Sequence, residues 1–154
     1  MQPSVLLAPA AGDALFRGFD RLAELLAYTL GPSQGHALSE SLTSRANRPE
    51  FVNDAAVLAR RMMQLPDRAE DVGAMLLRQL VWRVHQRAGD GSASAAVIAQ
   101  SLLREGRRLV AGGANPMRLR QGAEAGLQAA LAAIAQQARP VRDYGDLIRI
   151  DLTA

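Results

Sequence analysis

The sequence predicts an all-α protein, a helical bundle with a short irregular or hairpin insert at residues 33–52. Apolar residues recur every three or four positions in five separate stretches, which is the spacing of one helix face. The composition is 49% hydrophobic but only 4% aromatic, so the core must consist mainly of aliphatic side chains. Alanine and leucine favour helices, and few β-branched residues are present to favour strands.

The first helix and the insert follow from the N-terminal third of the chain. The apolar residues of a helix expected at residues 13–30 lie on one stripe. Gly31-Pro32 ends this helix, because proline lacks an amide donor and restricts the residue before it. The insert shows no helical period, and its residues 36–39 and 50–52 are expected as the short extended pieces of a hairpin.

The second and third helices are separated by a proline. Asn53-Asp54 is typical of a helix cap, and the helix expected at residues 55–65 ends before Pro66. The next helix, at residues 67–87, has the strongest helical period in the chain. Its apolar face is wide, so it is expected to be buried over most of its circumference.

The last helices are bounded by glycine and proline. The helix expected at residues 92–111 ends at a pair of glycines. Asn115-Pro116 places a capping residue before a proline at the first helical position, and the helix that it begins runs to about Gln137. A further short helix is expected near residues 144–150.

Length and composition exclude several classes of protein. A chain of 154 residues can bury one core, so a single domain over residues 1–154 is expected. The chain has no cysteine, which excludes a disulfide framework, a thiolate metal site and a cysteine nucleophile. Two histidines disfavour a histidine-rich metal site or a Ser/His/Asp triad. No secretory signal or membrane-length apolar stretch is visible, so we expect a cytoplasmic protein with no membrane contact.

The charge pattern argues against a dedicated nucleic-acid function. All 18 basic residues are arginine, and with 15 acidic residues the formal net charge is only +3. Arginine stays protonated to very high pH, so the sequence pI of about 10.5 overstates the basicity at neutral pH. An arginine-rich nucleic-acid binder nevertheless stays open as an alternative. Its arginine clusters would be Arg60-Arg61, Arg104 with Arg107-Arg108, and Arg118 with Arg120.

A glycine-containing loop before the fourth helix is suited to phosphate. Residues 89–94 read Gly-Asp-Gly-Ser-Ala-Ser, and a helix N-terminus presents free N–H groups and positive potential. Glycine allows the backbone to approach a ligand closely, and Ser92 and Ser94 can donate to phosphate oxygens. Asp90 can hold a hydrated Mg²⁺ that bridges phosphates. The other interpretation is an ordinary helix stop followed by a cap, and the loop alone does not separate the two.

The order of motifs around this loop resembles that of the group I, or bacterial-type, chaperonin family. Residues 89–94 are similar to the family's Gly-Asp-Gly-Thr-Thr-Thr run, and residues 113–117 match its Gly-x-Asn-Pro-Met motif. Thr-Leu-Gly-Pro at 29–32 resembles the family's first phosphate-contact loop, and Val-Gly-Ala at 72–74 resembles its Met-Gly-Ala. Asn-Asp-Ala at 53–55 stands where the family has Lys-Asp-Gly. The resemblance covers nearly the whole chain.

The resemblance implies an equatorial-type domain, the ATP-binding and ring-forming part of a chaperonin subunit. ATP or ADP with Mg²⁺ would be the cofactor, Asp90 the metal ligand, and Asp54, next to Asn53, would lie near the γ-phosphate. The resemblance places the following residues at the phosphates or the ribose: Thr29, Leu30, Gly31, Pro32, Gly91, Ser92, Ala93 and Ser94.

Three departures from the family pattern predict a weakened nucleotide site. Asn53 replaces a lysine and so removes a cation. Ala93 replaces a threonine and cannot donate a side-chain hydrogen bond. Ala55 replaces a glycine whose backbone conformation alanine adopts less readily.

The resemblance also implies which functions this stretch of chain would not carry. The family's apical and intermediate domains and its hydrolytic aspartate would all follow Ala154, so the chain resembles the first part of a subunit, as a gene fragment or a truncated paralogue. No catalytic residue is assigned, and binding of unfolded clients is not expected without an apical domain. Self-association is expected, and other chaperonin subunits are possible partners. The apolar face that would mediate self-association includes Leu102, Leu109, Leu127, Leu131 and Ile134.

Two functions other than nucleotide binding therefore stay open. One is a helical interaction or oligomerisation module that derives from a chaperonin and binds no nucleotide. The other is the arginine-rich nucleic-acid binder.

Overall fold

A computed structural model describes residues 5–31, 35, 37–40, 49–62, 64–146 and 148. Five helices dominate this part of the chain, so the all-α prediction is confirmed. They are α1 (Ala10–Ala27), α2 (Ala55–Arg61), α3 (Arg68–Ala88), α4 (Ser92–Ala111) and α5 (Pro116–Gln137), with β1 (Ala37–Glu40) and β2 (Pro49–Val52) between α1 and α2. No helix in these ranges is long and apolar enough to cross a membrane.

The insert contains the expected hairpin. β1 and β2 pair antiparallel, with Ala37 opposite Val52 and Glu40 opposite Pro49. Val52 is buried, whereas the side chains of Leu38 and Phe51, which face each other across the strands, are exposed. His36 and residues 41–48 of the insert lie outside the described residues.

Two helices end earlier than the sequence predicts, and backbone amides beyond each end donate to other acceptors. α1 stops at Ala27 because the next amides bond three residues back: Thr29 N–H donates to Leu26 O and Leu30 N–H to Ala27 O. α2 stops at Arg61, and beyond it the amide of Leu65 donates to the Asp71 carboxylate at 2.9 Å. In the tail, residues 144–146 and 148 are helical, and the rest of the expected helix lies outside the described residues.

Residue contacts divide the chain into two compact units, Met1–Arg104 and Glu105–Ala154. In the first unit, α1 packs on α3 around Leu22, Leu26, Leu77 and Val81, the largest fully buried side chains. One expectation for α3 is wrong: Val72 and Leu76 are each 54% exposed, so these two apolar residues of the helix lie outside the core. The expectation of a single domain over residues 1–154 stays a prediction.

In the second unit, turn and cap residues define the ends of the helices. Gly113 has φ = 91° in the turn after α4, a conformation that favours glycine. The Asn115 side chain accepts from the amides of Met117 and Arg118 and so caps α5, as the sequence predicts. α5 buries none of its residues.

A charged cluster on the first unit gives the protein an acid-sensitive contact. Arg104 donates two hydrogen bonds to the Asp20 carboxylate, at 2.7 and 2.8 Å, and so lowers the pKa of Asp20 below its ordinary value. The Gln100 amide, 2.8 Å from Asp20 Oδ1, lowers this pKa further. Because the folded pKa lies below the unfolded one, the contact stabilises the fold above about pH 4 and loses this effect as the pH falls.

Replacing Asp20 with asparagine is therefore expected to flatten the acid limb of the stability profile. At neutral pH the variant should lose about 1 kcal/mol of unfolding free energy, a modest figure because Arg104 is 47% exposed. The difference should shrink between about pH 4 and about pH 2. Urea unfolding midpoints across this pH range measure the stability difference, and Arg104→Gln is the matched variant. Parallel pH profiles of wild type and Asp20→Asn would contradict the prediction.

Candidate functional site

A polar pocket of about 210 Å³ lies where three segments of the first unit meet. It is bounded by the end of α1, the start of α2 and the loop between α3 and α4. Its lining residues are Thr29, Asn53, Asp54, Ala55, Asp90, Ser92 and Ala93. Six of these seven were expected at the nucleotide from the sequence, although they come from three separate segments of the chain.

The remaining expected residues lie beside the lining or outside the described chain. Leu30 and Gly31 continue from Thr29 and are exposed, with Gly31 at φ = 107°. Gly91 connects two lining residues, and Ser94 is exposed on the first turn of α4. Pro32 lies outside the described residues.

Thr29 lies buried at the end of α1. Its hydroxyl donates to the Leu26 carbonyl at 2.7 Å, and only 6% of the residue is exposed. The side chain therefore adds a second hydrogen bond to a helix-end carbonyl that already accepts from the Thr29 amide. A ligand at this position would meet the backbone after Thr29 rather than a free hydroxyl.

Asp54 caps α2 and contributes a carboxylate to the pocket. Its Oδ1 accepts from the Val57 amide at 2.8 Å, so this oxygen satisfies a first-turn donor of α2. Its Oδ2 lies 3.8 Å from Nδ1 of His85 on α3. Asn53, immediately before Asp54, is exposed at the pocket.

The loop between α3 and α4 places Asp90 at the pocket. Gly89 and Gly91 have φ of 78° and 82°, and apart from their chain neighbours no atom of the described residues lies within 4 Å of where a side chain would begin. Asp90 Oδ1 accepts from the amide of Gly91 at 2.6 Å. Ser92 is buried, and its hydroxyl donates to Val81 O at 3.3 Å, so it fixes the start of α4 to α3.

The charge of the pocket is negative. Asp54 and Asp90 both line it, and no basic residue is among the lining residues that the structure describes. Phosphate would be repelled by two carboxylates unless a cation neutralised them. The described residues contain no group of three or more His, Asp or Glu side chains that could hold a metal ion alone. The donor set therefore fits Mg²⁺, which keeps several waters and binds through one or two carboxylates plus phosphate oxygens.

His85, which lies beside the lining residue Asp54, is a neighbour of the site that the sequence did not predict. A lone histidine on a helix is most simply interpreted as a surface or rim residue, and nothing local pairs it with Asp54. Its position one turn before Gly89, the residue that ends α3, is the only signal in the sequence that it lies near the predicted loop.

The chain belongs to the TCP-1/cpn60 chaperonin family, whose family model matches residues 22–153. It is 40% identical over 140 residues to "Chaperonin GroEL 2" of Albidiferax ferrireducens (strain ATCC BAA-621 / DSM 15236 / T118), a match that covers 91% of this chain and 25% of that protein. It is 39% identical over 136 residues to "Probable chaperonin-like protein PrmG" of Gordonia sp. (strain TY-5), which covers 88% of this chain and 34% of that protein. The chain thus spans between a quarter and a third of the length of these relatives.

Proposed function

We propose that this chain is the nucleotide-binding, equatorial-type part of a chaperonin that takes part in protein folding in the cytoplasm. ATP or ADP would bind with Mg²⁺ in the pocket between α1, α2 and the α3–α4 loop. The observation that carries the proposal is the convergence of Thr29, Asp54 and Asp90 on one pocket. Each comes from a motif that resembles a phosphate-site motif of the chaperonin family, and the three motifs are far apart in the chain.

Each segment has a distinct role in this proposal. Asp90 would hold Mg²⁺, which neutralises the pocket and the phosphates together. The first turn of α4 would supply backbone donors to the phosphates, because its amides have no partner within the helix. The segment after Thr29 would contact phosphate and ribose, and Asp54 would lie at the terminal phosphate.

The affinity is expected to be low. Asn53 offers no positive charge and Ala93 no hydroxyl, and the hydroxyls of Thr29 and Ser92 already donate to backbone carbonyls. Binding then depends on the metal ion and on main-chain donors.

Calorimetric titration with Mg-ATP and Mg-ADP tests the proposal. Asp90→Ala should weaken binding at least about tenfold, because the metal loses its protein ligand. Asn53→Lys should strengthen binding, by about tenfold, because it adds a cation beside the phosphates. Glu105→Ala, which removes an exposed carboxylate of the second unit, is the matched control and should leave the affinity unchanged. Equal affinity of wild type and Asp90→Ala, or no binding by wild type, would overturn the proposal.

Ion pairing weighs against the nucleic-acid alternative. Arg61, Arg104, Arg108 and Arg120, which belong to its expected clusters, each form an ion pair with a glutamate or aspartate. A phosphate backbone would have to compete with these carboxylates for each guanidinium. Salt-dependent binding of generic RNA or DNA by the purified protein would restore that alternative.

A role in self-association is compatible with nucleotide binding, and α5 supports it. Three of its large apolar side chains, Leu127, Leu131 and Ile134, are each more than half exposed. Other copies of this chain or other chaperonin subunits are the partners that we propose.

A further inference from the structure

His85 has a buried ring nitrogen near Asp54, one of the residues that line the proposed nucleotide pocket. Its Nδ1 makes no hydrogen bond with any residue that the structure describes. The nearest acidic oxygen is Asp54 Oδ2, at 3.8 Å. A buried nitrogen without a hydrogen-bond partner is costly, whereas a shift of about 1 Å would bring this pair to ordinary hydrogen-bond distance.

A stack of side chains holds the His85 ring at this position. The rings of Trp82 and His85 are stacked with centroids 5.1 Å apart and planes inclined by 20°. The Arg60 guanidinium lies 4.2 Å from the centroid of the Trp82 ring. Arg60 belongs to α2, the helix that Asp54 caps, so the stack connects α2 to α3 and fixes the ring next to the carboxylate.

We propose that His85 is a positioning residue for Asp54, with its Nδ1–H donating to Oδ2. Both carboxylate oxygens would then have protein donors, Oδ1 from the Val57 amide and Oδ2 from His85. The carboxylate would be held in one orientation at the terminal-phosphate end of the pocket. This inference rests on the proposed function for its effect on nucleotide, but the hydrogen bond itself can be tested in the free protein.

Substitutions at His85 separate the hydrogen bond from the packing of the ring. His85→Phe keeps a ring to stack on Trp82 but removes the donor, and should weaken Mg-ATP binding about three- to tenfold, because Asp54 is then no longer held in one orientation at the terminal phosphate. His85→Asn carries an amide donor near the position of Nδ1 and should stay within about twofold of wild type. Equal nucleotide affinity of His85→Phe and wild type would overturn the proposal. So would a His85→Asn variant that binds as weakly as His85→Phe, provided that both variants melt at the wild-type temperature.

A double-mutant cycle checks that the effect passes through Asp54. Asp54→Ser removes the carboxylate but retains an oxygen that can cap α2. In this background His85→Phe should have no further effect on Mg-ATP affinity, because the partner of the donor is gone. An undiminished effect of His85→Phe in the Asp54→Ser background would show that His85 acts by another route.

The tautomer of His85 gives a readout that needs no nucleotide. Nitrogen NMR of the neutral imidazole should show the proton on Nδ1, and Asp54→Ser should lose this preference. His36→Gln assigns the signals, since the chain has two histidines. A proton on Nε2 in wild type would overturn the inference. If wild type binds neither Mg-ATP nor Mg-ADP but carries the proton on Nδ1, the proposed function fails and the His85–Asp54 contact stands.

Discussion

Replacing Gly18 with alanine is expected to destabilise the first unit by about 3 kcal/mol or more. Gly18 is buried on α1, and a methyl group there would overlap the backbone of Glu70 on α3. A backbone cannot yield as a flexible side chain can, so α1 would have to move away from α3 and open the core beside Leu22. The free energy of urea unfolding measures the loss.

Two further glycines in these helices make the prediction specific. Gly73→Ala should have a comparable effect, because its methyl group would overlap the backbone of Leu15. Gly12→Ala is the matched control: Gly12 lies exposed in α1 with no atom near the added carbon, and alanine there should be neutral or stabilise by up to about 1 kcal/mol. Equal stability of the Gly12 and Gly18 variants would show that α1 and α3 do not depend on backbone contact.

Helix positions could be predicted from the sequence because the period of apolar residues is a local signal. Caps are local too, and Asp54 and Asn115 cap α2 and α5 as predicted. The contact at Gly18 could not be predicted, because its partner belongs to another helix far along the chain. Until that partner is known, a glycine inside a helix indicates only a lower local helix propensity.

The pocket could be predicted only through the order of its motifs. Periodicity placed Thr29, Asp54 and Asp90 at helix ends, and the resemblance to the chaperonin family predicted that these ends lie close together. The hydrogen-bond partners of the Thr29 and Ser92 hydroxyls could not be predicted in this way. Thr29 and Ser92 read as potential ligand donors in the sequence, yet each donates to a backbone carbonyl of a helix. Tertiary geometry decides whether such a hydroxyl donates to the backbone or to a ligand. It also sets the distance between His85 and Asp54.

Self-association at micromolar concentration is the second large effect that we expect. Leu127, Leu131 and Ile134 recur at positions i, i+4 and i+7 of α5, which places them on one stripe, and they are 55%, 51% and 64% exposed. A soluble monomer rarely exposes a large contiguous apolar surface. Covering such a stripe gains about 25 cal/mol per Å², which opposes the entropy lost on association.

Glutamine at all three positions should convert the associated species to monomer, as measured by sedimentation velocity. The matched control introduces glutamine at Ala125, Ala129 and Ala132, which are also exposed but lie on the opposite side of α5. This control should associate like wild type, because it leaves the apolar stripe intact. A monomeric wild type that binds little apolar dye would contradict the prediction. Equal dissociation by the two sets of substitutions would also contradict it, because association would then not depend on this stripe.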